Sequence, residues 1–205
     1  MTIDQALEQL PIVAIVRGVT PDEVISIGEA LYAQGVRAME VPLNSPEPLE
    51  SIRRLAIRFK DQMMVGAGTV LSADDVDAVH AVGGQFIVSP NVNRDVIESS
   101  LALGMEALPG FMTPTEAFEA IDAGARFLKL FPAATLGSGY LKAIGAVLPR
   151  HVKVIAVGGI GPSAMAEWQA AGASGFGLGS ELYRPGLSAA EVGEKTAACV
   201  QALAR

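Results

Sequence analysis

The chain has 205 residues, of which 50% are hydrophobic and 18% charged, with a formal net charge of −7 and one cysteine. That apolar share is enough for one buried core, so a single domain over residues 1–205 is expected. The acidic balance, with neither a basic run nor a basic stripe interleaved with aromatics, argues against nucleic acid, and no apolar stretch approaches the roughly 20 residues that cross a bilayer.

The chain opens on Met1-Thr2-Ile3-Asp4-Gln5, which lacks the basic segment and apolar run of a secretory signal, so a cytoplasmic protein is expected. Eight short apolar segments then alternate with helical patterns. Strands are expected near 11–17, 37–41, 63–68, 85–89, 106–109, 126–131, 153–158 and 175–178. Helices are expected near 21–34, 47–59, 72–81, 93–103, 114–123, 138–147, 162–171 and 188–203. Such alternation requires parallel pairing through crossover helices, and eight units in one domain predict an α/β fold closed as a (β/α)8 TIM barrel. Thr20-Pro21-Asp22-Glu23, Ser72-Ala73-Asp74-Asp75 and Thr113-Pro114-Thr115-Glu116 each place a capping hydroxyl before Pro or an acidic residue. Gly35, Gly83 or Gly84, Gly104, Gly124 and Gly172 follow helical runs as the left-handed residues that end them. His80 and His151 fall in a helix tail and a loop, and Cys199 in a helical pattern, so neither a metal set nor a disulfide is expected.

In barrels of this kind the chemistry lies at the C-terminal ends of the strands. Of the five lysines only Lys129 lies late in a strand, inside the apolar run Phe127-Leu128-Lys129-Leu130-Phe131. Side chains alternate along a strand, so Phe127, Lys129 and Phe131 share a face. An amine between two phenylalanines is poorly solvated, which lowers its pKa and makes it the nucleophile an imine requires. The other reading is a packed stem whose ammonium reaches water or a carboxylate. Glu40 ends the second strand on the face of Ala38 and Pro42, small neighbours that leave room for a carboxylate in the barrel mouth. Beside an amine it can act as general base, or the two can form a buried ion pair that only holds the barrel together.

Gly158-Gly159 and Gly177-Leu178-Gly179-Ser180 follow the last two strands, where barrel enzymes often hold phosphate on backbone N–H groups at the start of a short helix. Ser180 is expected to cap the following turn and offer its hydroxyl to a phosphate oxygen. The glycines can equally serve tight turns. Arg17, ending the first strand, can clamp a carboxylate or phosphate bidentately, or be solvated or ion-paired.

Glu40-Val41-Pro42-Leu43-Asn44-Ser45, Gly66-Ala67-Gly68-Thr69-Val70-Leu71, Ser89-Pro90-Asn91, Pro109-Gly110, Leu128-Lys129-Leu130-Phe131-Pro132 and Ala156-Val157-Gly158-Gly159-Ile160 together carry a family resemblance over nearly the whole chain. The chain resembles the class I 2-keto-3-deoxy-6-phospho sugar acid aldolases, which split a phosphorylated keto-deoxy sugar acid into pyruvate and glyceraldehyde 3-phosphate. The resemblance implies Lys129 as the Schiff-base lysine and Glu40 as general acid/base. It implies Thr69, Pro90 and Phe131 around the pyruvyl end, with Gly158, Gly159 and Ser180 at the phosphate and Gly179 in the same turn. It implies a homotrimer, and a reaction without metal or cofactor, because a protonated imine replaces the Lewis acid.

The gluconate enzymes of that family resemble one another in an arginine four residues after the glutamate and a threonine before the Gly-Gly pair. This chain has Asn44 and Val157 there, while Ile15-Val16-Arg17-Gly18 resembles the galactonate branch, in which that arginine binds the carboxylate. The galactonate phosphate is therefore the expected substrate and its C4 epimer the alternative. Phe111-Met112 departs from the family pattern. A phosphosugar epimerase or isomerase, and a non-catalytic phosphosugar-binding barrel, are the rival functions, since barrels host many chemistries.

Overall fold

The structure is a computed structural model in which residues 1–203 are described. Its elements in order are α1 (Ile3–Gln9), β1 (Ile12–Ile15), α2 (Val24–Ala33), β2 (Ala38–Pro42), α3 (Pro48–Arg58), β3 (Met64–Gly68), α4 (Ala73–Ala81), β4 (Phe86–Val88), α5 (Arg94–Ala102), β5 (Glu106–Leu108), β6 (Gly110–Phe111), α6 (Pro114–Asp122), β7 (Phe127–Leu130), α7 (Ala133–Leu136), α8 (Ser138–Gly145), β8 (Lys153–Val157), α9 (Met165–Ala170), β9 (Gly175–Leu178) and α10 (Ala189–Leu203). A single turn of 3₁₀-helix, Pro162–Ala164, leads into α9.

Every strand pairs in parallel, in the order β5-β4-β3-β2-β1-β9-β8-β7-β6. The two end strands of that order are consecutive in the chain: β5 pairs with β4, β6 pairs with β7, and only Pro109 separates them. The sheet therefore closes on itself as the expected (β/α)8 barrel. The fifth stave, expected as one run over 106–109, is two pieces because Pro109 has no N–H to give the ladder. Its carbonyl still serves the barrel, accepting from the Lys129 N–H at 2.9 Å.

Strand alternation splits the buried side chains into two cores. Met39, Val41, Val65, Ala67, Leu128 and Leu130 point outward and pack under the helices. Val13, Ala38, Met64, Phe86, Phe127 and Ile155 point inward and fill the barrel. Glu40 follows Ala38 on the inward face and Lys129 follows Phe127, so the period of two that packs the interior also carries both groups to the open end.

Helix α1, which the strand and helix pattern did not include, closes the other end. Thr2 and Gln5 form a reciprocal capping box, and Ile3, Ala6 and Leu7 enter the barrel-interior core. Asp4 on the same helix bonds Lys153 Nζ at 2.5 Å and Arg126 Nη1 at 3.3 Å, at the starting ends of β8 and β7.

The predicted capping boxes form at Ser72 with Asp75 and at Thr113 with Glu116. Thr20 differs. Its N–H and hydroxyl bond Glu23 Oε1 in a turn, and α2 starts only at Val24. Of the two candidates Gly83 and Gly84, it is Gly83 that takes the left-handed backbone at a helix end, φ 91°. Among the described residues no helix is long and apolar enough to cross a membrane.

Candidate active site

Glu40 near the end of β2 and Lys129 near the end of β7 are 2% and 7% exposed, and both face one cleft of about 190 Å³ at the C-terminal mouth of the barrel. That cleft gathers the residues expected to catalyse and to bind substrate: Arg17, Glu40, Thr69, Pro90, Lys129, Phe131, Val157, Gly158, Gly159, Gly179 and Ser180. It adds Ile15, Gly177 and Glu181. Beneath it lies a much smaller apolar hollow, about 10 Å³, walled by Val13, Val88, Leu108 and Ile155 and shared with Glu40 and Lys129. A small keto acid entering the mouth would thus meet an amine and a carboxylate set in an apolar floor.

Burial dominates the electrostatics of the pair. Desolvation pulls the Lys129 pKa below its usual value, opposed by the Glu40 charge and helped by Arg17. The Lys129 Nζ sits 4.7 Å from the centre of the Phe131 ring. Desolvation pushes Glu40 up to about 7, against the opposite pull of the Lys129 and Arg17 charges. A carboxyl titrating near neutrality can both take and give a proton under ordinary conditions. Glu40 Oε2 is buried with no hydrogen-bond partner, a costly arrangement in a folded core and one expected where a reacting group is to be met.

Gly68, at the end of β3, makes that carboxylate possible. A Cβ there would stand 1.9 Å from Glu40 Oε2 and 2.4 Å from its Cδ, so any other residue would displace the acid. The next residue, Thr69, has φ 59°, a left-handed backbone uncommon for a β-branched residue. Its hydroxyl accepts from Arg17 Nη1 and Nη2 at 3.4 and 3.5 Å. Arg17 also donates to Asn44 Oδ1, and the Gly18 N–H donates to Ser45 Oγ at 3.0 Å. Three strand ends, β1, β2 and β3, are thereby joined on one side of the mouth.

The opposite side is built from glycine turns. Gly158 and Gly159 have φ 101° and 76°, and a Cβ on Gly159 would meet Ala134 at 2.9 Å. The Ala134 N–H, in α7, donates to the Gly158 carbonyl at 3.0 Å, so this short helix, absent from the sequence reading, holds the turn. After β9 the Gly179 carbonyl accepts from the Leu182 and Tyr183 N–H groups at 2.9 Å each. Residues 180–182 form a turn and not a helix. Ser180 does not cap it: its hydroxyl bonds Glu181 Oε1 at 3.3 Å. Val157 packs against Gly177, where a Cβ would come within 2.6 Å of Val157 Cγ2.

Sequence reasoning missed Gly68, Ser45 and the part played by Asn44. Gly68 stood in a noted glycine-rich strand end, but the carboxylate it accommodates comes from the neighbouring strand. Only the register, which sets Gly66 beside Glu40 and Gly68 beside Pro42, brings the two together.

A closed parallel barrel that buries an amine beside a carboxylate at its strand ends has the architecture of an imine-forming aldolase. The chain belongs to the KDPG and KHG aldolase family, whose model matches residues 3–202. It is 45% identical over 194 residues, 95% of each chain, to the 2-dehydro-3-deoxy-6-phosphogalactonate aldolase of Escherichia coli (strain K12). A solved structure of native KDPGal superposes with TM-score 0.94 at 45% identity, covering 96% of this chain and 95% of that one. The KDPG aldolase from Legionella pneumophila, solved with pyruvate captured as a covalent carbinolamine, superposes with TM-score 0.85 at 27% identity, covering 95% and 96%.

Proposed function

We propose that this aldolase cleaves 2-keto-3-deoxy-6-phosphogalactonate to pyruvate and D-glyceraldehyde 3-phosphate through a Schiff base on Lys129. The observation that carries the reading is the pairing of two desolvated groups, Lys129 and Glu40, at one end of one cleft, the carboxylate with an unpartnered oxygen. Neutral Lys129 attacks the C2 ketone, Glu40 protonates the departing oxygen, and loss of water leaves a cationic imine. Glu40 then takes the C4 hydroxyl proton as the C3–C4 bond breaks, its electrons flowing into the imine. The aldehyde leaves, the enamine is protonated at C3, and water releases pyruvate and the free amine.

Arg17 receives the substrate carboxylate, with Thr69, Pro90 and Phe131 around the pyruvyl end. The phosphate lies on the turns of Gly158, Gly159, Gly179 and Ser180. The net charge of −7 makes such local donors necessary for a polyanion. The choice of epimer rests on Arg17 and Val157. A valine wall leaves no hydroxyl unpaired when the C4 oxygen points away, so the galactonate configuration meets no penalty there. The relatives named for the galactonate substrate are also much more alike to this chain than those named for the gluconate one. Assembly as a homotrimer belongs to the same proposal.

Borohydride reduction in the presence of pyruvate should fix the adduct on the peptide bearing Lys129, and Lys129→Ala should abolish both trapping and turnover. Steady-state kcat/KM for the two epimers should favour the galactonate phosphate. Trapping at another lysine would overturn the nucleophile, and a strong preference for the gluconate epimer would overturn the branch.

A further inference from the structure

Arg17 is exposed at the mouth, and its side-chain hydrogen bonds go to neutral acceptors: Asn44 Oδ1 on one side and Thr69 Oγ1, at 3.4 and 3.5 Å, on the other. Among the described residues no carboxylate is within 4.0 Å of its guanidinium. The charge is thus left whole for an incoming anion, while the direction of the side chain is set by groups from two other strand ends. Without such guides a long arginine spreads over many rotamers, and the order must be imposed at each binding event.

The segment that carries Asn44 is itself fixed. The Leu43 N–H donates to the Gly68 carbonyl at 2.8 Å and the Ser45 N–H to the Pro42 carbonyl at 2.9 Å. Ser45 Oγ accepts from the Gly18 N–H at 3.0 Å, which ties this turn to the residue after Arg17. The Asn44 amide is therefore held at a set distance from the backbone that bears the guanidinium. We infer that Asn44 is a positioning residue for Arg17, holding its guanidinium over the barrel mouth so that the substrate carboxylate meets a donor pair already oriented.

This rests on the reading of Arg17 as the carboxylate clamp. An amide suits the task where an acid would not, since an aspartate at position 44 would neutralise Arg17 and repel the ligand it is to receive. Thr69 is the weaker guide, because its contacts lie at the long limit for a hydrogen bond. Asn44 is exposed, so its truncation empties no part of the core.

The test compares Arg17→Ala, Asn44→Ala, the double variant and Asn44→Asp with wild type in cleavage of 2-keto-3-deoxy-6-phosphogalactonate, alongside inhibition by inorganic phosphate. Asn44→Ala should raise KM about tenfold with kcat within about twofold, and should leave the inhibition constant of phosphate unmoved. Added to Arg17→Ala it should change nothing further, because it acts only through that arginine. Asn44→Asp should raise KM by at least as much as alanine. If Arg17→Ala raises KM and Asn44→Ala does not, the role of Asn44 alone is overturned. If Arg17→Ala leaves KM unchanged, the clamp itself fails and the inference falls with it. Additive losses in the double variant would give Asn44 an action of its own and overturn the positioning role.

Discussion

At the scale of single residues, Glu40 sets function against stability. The folded chain keeps its proton up to about pH 7, whereas an unfolded glutamate releases it near 4.5. Between those values the unfolded state binds fewer protons, so stability falls as pH rises through the window and the full cost is present above it. Complete burial makes that cost about 3 kcal/mol at its limit. Glu40→Gln should therefore slow turnover by about a hundredfold or more, yet melt higher than wild type at pH 8, with the gap closing toward pH 5. Thermal melts across that range, paired with rates, check it; a variant less stable than wild type at pH 8 would refute the account. Lys129 and Glu40 were legible in the sequence because a charge in an apolar strand is conspicuous and the alternation fixes its face. Gly68 and Asn44 were not, since a glycine that makes room and an amide that aims an arginine act on residues distant in the chain. Their partners become neighbours only through strand register.

At the scale of elements, the parallel staves were readable because most of the short apolar runs follow a glycine that ends a helix, and several lead into a helix opened by a capping hydroxyl. What escaped is what departs from that cadence: the fifth stave broken at Pro109, the short helix α7, and the N-terminal plug α1. The signal for α1 was present in Thr2 and Gln5, spaced as a capping box, and in Ile3, Ala6, Leu7 and Leu10, spaced as one helical face. A barrel counted in strand and helix pairs has no place for a helix ahead of its first strand. The plug covers the floor of the barrel at the end away from Lys129, so it should support stability without touching the chemistry. Ile3 is fully buried there. Ile3→Ala should cost about 2–4 kcal/mol, lowering the melting temperature by roughly 5–15 °C, while kcat at 25 °C stays near wild type. Calorimetry and steady-state rates test this, and a fall in kcat matching the fall in stability would show that the floor is coupled to the site.

At the scale of the whole molecule, the barrel closes its own sheet edges but leaves apolar side chains outside. Leu71, Met112, Phe118 and Phe131 are each more than a third exposed. Leu71 just ahead of α4, Met112 just ahead of α6 and Phe131 after β7 follow strand ends at the C-terminal rim, and Phe118 lies in the second turn of α6. The departure at Phe111-Met112 belongs here: Phe111, beside Leu130 in the ladder, is buried under the helices, while Met112 is exposed. A ring of three copies meeting through this rim would cover that apolar surface and press subunits against the loops that carry Thr69 and Phe131. The proposed homotrimer therefore predicts more than a mass. Wild type should sediment as a single species of three chains. A charge placed in the patch, as in Met112→Asp with Phe118→Asp, should shift it toward monomer with kcat/KM reduced, because Phe131 would lose its support over the lysine. Analytical ultracentrifugation and activity measured on the same samples decide it: a wild-type monomer, or a double variant that remains trimeric, would place the subunit contacts elsewhere.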